Sequence, residues 1–146
     1  MNYVFDTSAI LYYLKDPITR ERIISDYQPF EEGNNAIISI VTLGEIMAIA
    51  QKNSWGNLRI EAVNKILKQF LVVEIKYGKL LEKYAEIEAF SQRKHKRITT
   101  SFTARNMGKN DVWIAATAAI TDAILITSDK DFAHLEGVFF EIVLIS

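Results

Sequence analysis

The sequence contains no cysteine, which excludes disulfides and thiolate metal sites and is compatible with a reducing compartment. Its two histidines, His95 and His134, are far apart and stand alone, so neither suggests a metal ligand or a general base. No run of about 20 apolar residues is present, so a membrane span is not expected. The start, MNYVFDTS, has no basic region followed by a long apolar segment, so no signal peptide is expected and the cytoplasm is the expected location. The formal net charge of −1 gives no global pull toward nucleic acid, and any such pull must be local. Internal repeats, low-complexity tracts and linkers are also missing. The 146 residues, 49% hydrophobic and 24% charged, fit one globular domain spanning 1–146 with a sizeable core.

The most informative stretch is Asn110 to Phe132, NDVWIAATAAITDAILITSDKDF. Val112, Trp113, Ala115, Ala116 and Ala119 make a small-residue helix that can lie close against a sheet. Asn110 or Asp111 can accept from the free amides of its first turn. Ala123–Thr127, AILIT, is an apolar run bounded by turn residues, as in a strand buried on both faces. The acidic loop Ser128-Asp129-Lys130-Asp131 follows.

Earlier in the chain, Asn2–Phe5 reads as a strand, with Asp6 next and Thr7 or Ser8 capping a helix over Ala9–Lys15. Asp16-Pro17 ends that helix, and Thr19–Tyr27 reads as a second. Ala36–Ile40 is the next strand. A helix from about Leu43 to Lys52 carries Glu45 in its first turn. Leu58–Phe70 has helical spacing, Leu71–Ile75 is a third strand, and Lys79–Gln92 a further helix. Phe132–Gly137 is a short helix or turn, and Val138–Ile145 the last strand. Alternating strands and helices predict an α/β fold, with a mostly parallel central sheet covered on both faces in three layers.

Asp6, Glu45, Asp111 and Asp129, with Asp131 two residues on, fall near strand C-terminal ends or first turns of helices. In open α/β sheets that edge is where sites form. One at a time, such acids are ordinarily caps, turn residues or partners of a helix dipole. Together at one edge they would repel and raise each other's pKa unless a cation sat among them. Without cysteine, the suitable cation is hard and oxygen-loving, Mg²⁺ or Mn²⁺, and such a site can run phosphodiester hydrolysis. No Ser–His or Cys–His pairing is evident, so hydrolysis without a covalent enzyme intermediate is expected.

The segments VFDTSAIL, ISIVTLGEI, KNDVWIAATA and LITSDKDF, in that order, resemble a PIN domain, and most closely the VapC-type toxins of toxin–antitoxin pairs. The resemblance runs from the first strand to the last helix and implies a Mg²⁺- or Mn²⁺-dependent ribonuclease with a three-layer fold. Carried over by motif, Asp6, Glu45, Asp111 and Asp129 are the expected catalytic and metal-binding acids. Asp131 lies in the same acidic loop, and Thr7, Ser8 and Thr127 match hydroxyls that support the carboxylates. The resemblance also implies an RNA substrate, a small antitoxin partner and a homodimer.

Between Lys94 and Lys109 the chain is longer and more basic than the family pattern. Arg93, Lys94, Lys96, Arg97, Arg105 and Lys109 are candidate phosphate contacts in what reads as a loop. Trp55 and Trp113 are expected to pack in the interior. Leu11, Tyr12, Tyr13 and Leu14 could serve an interface. A structure-selective DNA nuclease of the flap type would need a helical arch that the chain lacks. A haloacid-dehalogenase-type phosphatase wants a second aspartate where Ser8 stands. A receiver domain wants an aspartate after the third strand, where Lys76-Tyr77-Gly78 follows. A catalytically dead scaffold remains the alternative from a different class.

Overall fold

The structure, a computed structural model, describes residues 1–76 and 78–146. Its elements are β1 (Asn2–Phe5), α1 (Thr7–Lys15), α2 (Pro17–Tyr27), β2 (Asn35–Ser39), α3 (Ile40–Lys52), α4 (Asn57–Leu67), β3 (Leu71–Val73), α5 (Lys79–Ser91), α6 (Lys109–Ile120), β4 (Ala123–Thr127), a 3-10 helix (Lys130–Leu135) and β5 (Ile142–Leu144). The strands form one sheet in the order β3-β2-β1-β4-β5, and every pairing among the described residues is parallel.

The period-2 alternation of side chains on a strand divides the core between the two faces. Val4, Ile37 and Leu125 pack on one face against α5 and α6. Tyr3, Phe5, Ile38 and Ile126 pack on the other against α1 to α4. The central strands β1 and β4 are therefore apolar on both sides, which is why they read as continuous hydrophobic runs. Phe5 is fully buried, with its ring edge-on to Phe70 at 5.0 Å and to Tyr13 at 6.0 Å between centroids. Tyr13 is only 3% exposed, so of the pair expected at an interface Tyr12 alone faces outward. Trp55 is buried in the same layer, under the Arg59 guanidinium at 4.2 Å.

Several helix starts differ from the sequence expectation, and for α1 and α3 the reason is shared. There β1 and β2 run into the helix without an intervening loop, so the polar residue at the strand end becomes the cap. Asp6, not Thr7 or Ser8, caps α1 by accepting from the Ala9 amide. Ser39 caps α3 through Val41, so α3 starts at Ile40 and Glu45 lies in its second turn rather than its first. At α6 the cap position is Gly108, with no side-chain bond, so neither Asn110 nor Asp111 spends its side chain on capping. The last strand is shorter than expected because Gly137, Val138 and Phe139 turn back on Leu135 and Phe140 by backbone bonds. No helix of the described residues is long and apolar enough to cross a membrane.

Candidate active site

All strands point the same way, so β1, β2 and β4 deliver their following residues to one edge of the sheet. Asp6 leaves β1 buried, at 3% exposure. Its Oδ1 accepts from the Ala9 amide at 2.8 Å and from Ser8 Oγ at 2.7 Å, and its Oδ2 accepts from Thr127 Oγ1 at 2.5 Å. Burial pushes the Asp6 carboxyl above its usual range; Asp129 adds to the rise, while these three hydrogen bonds oppose it. Thr127 Oγ1 also accepts from the Asp129 amide at 2.9 Å, and Ser8 Oγ accepts from the Ser128 amide at 3.0 Å. The ends of β1 and β4 are thereby stapled through the carboxylate itself.

Glu45 arrives from α3. Thr7 Oγ1 donates to its Oε1 at 2.7 Å and lies 3.2 Å from Thr42 Oγ1. Thr42 is fully buried and was not singled out from the sequence. The available signal was its place three residues before Glu45, which puts both on one face of α3. Asp129 Oδ1 accepts from the Asp131 amide at 2.9 Å, while the Asp131 carboxylate stays exposed.

Asp111 lies in the first turn of α6, half-buried. Its carboxyl is pushed up to about 6, first by burial and then by the charges of Asp129, Asp6, Glu45 and Asp131 in that order. The acids singled out in the sequence thus share one field, with Asp111 among them. Their residue types suit a hard cation, which would relieve this repulsion. No three acidic or imidazole side chains among the described residues converge closely enough to hold an ion as they stand. Asp6, Glu45 and Asp129 each accept from a protein donor in this arrangement.

One sequence expectation is corrected. A Ser–His pair does exist, with Ser91 Oγ 2.8 Å from His134 Nε2. Ser91 is completely buried and also donates to Met107 Sδ at 3.3 Å, so it has no access to a substrate. The pair fastens α5 to the 3-10 helix. His95 is not isolated either, because its Nε2 lies 2.9 Å from Glu86 Oε2. The candidate phosphate contacts Arg93, Lys94, Lys96, Arg97, Arg105 and Lys109 are all exposed, Lys109 as the first residue of α6 and the others on the segment before it.

The PIN domain family model matches residues 3–138. The chain belongs to the PIN domain family. Its fold is also that of solved toxin–antitoxin structures. It is 18% identical to a chain of VapBC2 from Rickettsia felis bound to a promoter DNA fragment, covering 99% of this chain and 98% of that one with a TM-score of 0.78. For VapBC-1 from nontypeable Haemophilus influenzae the identity is 22%, the coverage 99% and 98%, and the TM-score 0.74. For VapBC-5 from Mycobacterium tuberculosis the identity is 23%, the coverage 99% and 98%, and the TM-score 0.64. No curated protein sequence matches the chain. Family membership agrees with the parallel α/β architecture and with the resemblance seen in the four sequence motifs.

Proposed function

We propose that this PIN domain, spanning residues 1–146, is a metal-dependent endoribonuclease and the toxin of a VapBC-type pair. The observation that carries the reading is the placement of Asp111 in the shared field of Asp129, Asp6, Glu45 and Asp131. A cluster of like charges around one buried acid costs folding energy, and a divalent cation, Mg²⁺ or Mn²⁺, would offset it.

Asp6, Glu45, Asp111 and Asp129 would hold the ion. When bound, the ion supplies a Lewis acid that offsets phosphate charge and lowers the pKa of a bound water. The rest is done by the chain. Thr127, Ser8 and the Ala9 amide fix the Asp6 carboxylate, and Thr7 fixes that of Glu45. The Asp131 amide orients Asp129. Water is the nucleophile, since the serine of the Ser91–His134 pair is sealed in the core. The likeness to chains of VapBC complexes supports a small antitoxin as partner, and a homodimer working in the cytoplasm completes the reading.

The test is cleavage of a labelled RNA in Mg²⁺ or Mn²⁺, with Asp6→Asn and Asp111→Asn as variants. Both are expected to lose cleavage at least about a hundredfold while melting cooperatively. In parallel, saturating Mn²⁺ should raise the wild-type Tm by about 5–10 °C, and should not raise that of Asp6→Asn. Full activity in either variant, or no response to Mn²⁺, overturns the assignment.

A further inference from the structure

Residues 92–108 join α5 to α6, and they are folded rather than draped. Arg93 turns the chain off α5 in a left-handed conformation, φ 61°, with its amide on Phe90 O and the Lys94 amide on Ala89 O. Arg93 Nε then reaches Thr100 Oγ1 at 3.2 Å, so this side chain is used to hold the segment. His95 Nδ1 accepts from the amides of Arg97, at 3.0 Å, and Ile98, at 3.1 Å. Its Nε2 lies 2.9 Å from Glu86 Oε2 on α5, so the ring ties the segment to that helix. The ring is the keystone of the segment. Beyond it, the Phe102 ring packs 5.2 Å from that of Phe90 and 5.1 Å from that of His134. The Arg105 amide bonds Ser91 O at 2.7 Å, and Met107 is buried.

What this scaffold presents is charge. From Arg93 to Lys109 the sequence has six cations and no acid. Lys94, Lys96, Arg97 and Arg105 are exposed, and none forms an ion pair with a carboxylate among the described residues. The segment runs into α6 two residues before Asp111, and the Arg105 charge reaches His134, in the last turn of the 3-10 helix after Asp129. The acidic edge would repel a polyanion, and the cations beside it supply the opposing pull. The aromatic rings of the segment, His95 and Phe102, are engaged within the fold, so contacts fall on phosphates and not on bases.

We propose that residues 93–105 are a prefolded docking arm for the phosphodiester backbone of an RNA strand. Lys94, Lys96, Arg97 and Arg105 are its phosphate contacts, and His95 is the positioning residue that sets their spacing. The choice of RNA over other polyanions rests on the nuclease reading above.

The experiment measures anisotropy of a labelled 20-residue oligouridylate with the full chain in EDTA, across about 50–200 mM salt. The combined variant Lys94→Gln, Lys96→Gln, Arg97→Gln, Arg105→Gln should bind about 10- to 100-fold more weakly at low salt. Its slope of log affinity against log salt should flatten by up to about 3 units, at roughly 0.7 per lost phosphate contact. His95→Ala keeps all four charges; it should weaken binding a few-fold, leave the slope near wild type, and speed amide exchange at Arg97 and Ile98. Wild-type affinity in the combined variant overturns the arm, and unchanged exchange in His95→Ala overturns the keystone. Polyglutamate bound as tightly as the oligouridylate also overturns the proposal, reassigning the arm to an acidic protein. Salt-sensitive RNA binding lost in the combined variant, from a wild type that never cleaves, would leave the arm standing and remove the nuclease. Cleavage by a wild type whose combined variant binds RNA equally well would do the reverse.

Discussion

Thr127 Oγ1 donates to Asp6 Oδ2 at 2.5 Å across 121 positions of sequence, and in the same geometry accepts from the Asp129 amide. One buried hydroxyl therefore ties together the two strands and two of the acids. Thr127→Val keeps the shape and removes both bonds. It should destabilise the protein by about 1–3 kcal/mol, because a buried carboxylate oxygen and an amide lose their partner. Cleavage should fall at least about tenfold. Thr127→Ser, which restores the hydroxyl, should recover most of both; Tm and kcat measured on the pair decide it.

The elevated Asp111 pKa makes a prediction about pH. In the unfolded chain this group titrates near 3.8, and in the folded metal-free protein at about 6. Between those values the folded state binds the extra proton, so its contribution to stability is complete below pH 3.8 and is lost as pH rises through 6. Asp6 shifts in the same direction. Solvent screening at half-buried Asp111 holds its share to about 1 kcal/mol. In EDTA, the wild-type Tm should decline relative to Asp111→Asn between about pH 4 and 7. A constant difference would contradict the coupling.

Ser91→Ala separates architecture from chemistry. The variant loses the bonds to His134 and Met107 in a closed interior. A stability loss of about 1–2 kcal/mol is expected, with kcat for RNA at the wild-type value. Loss of cleavage by a stably folded Ser91→Ala would make the serine a nucleophile after all.

Phe5 tests the layer beneath the site. It is fully buried between Phe70 and Tyr13. Phe5→Ala should cost about 3–5 kcal/mol by removing buried area and leaving a cavity, which a shift of the urea midpoint would record. Phe5 directly precedes Asp6, so the partly relaxed variant should also cleave more slowly.

Much of this was legible in the residues themselves. AILIT gave the bounds of β4 without error, because a strand buried on both faces is marked by its own apolar run. The starts of α1 and α3 were read a few residues late because Asp6 and Ser39 serve strand end and cap at once. The acids were visible as types at strand ends. The hydroxyls around them were visible only in part: Thr7, Ser8 and Thr127 stand beside the acids' motifs, whereas Thr42, which meets Thr7, sits inside a helix. The arm before α6 could not be read as structure, because it has no apolar period. Its order comes from one imidazole bonding to amides two and three residues on and to Glu86 on α5. The Ser91–His134 pair spans 43 positions with no motif to announce it.

The strand order places β4, close to the end of the chain, directly beside β1, at its beginning. A polypeptide shortened to end before Ala123 would hold Asp6 without the Thr127 hydroxyl, and β1 with one side bare. The acids proposed to form the centre thus come together only once β4 has paired with β1. A chain in which that pairing is broken would keep every one of these acids and still lack the site they are proposed to make.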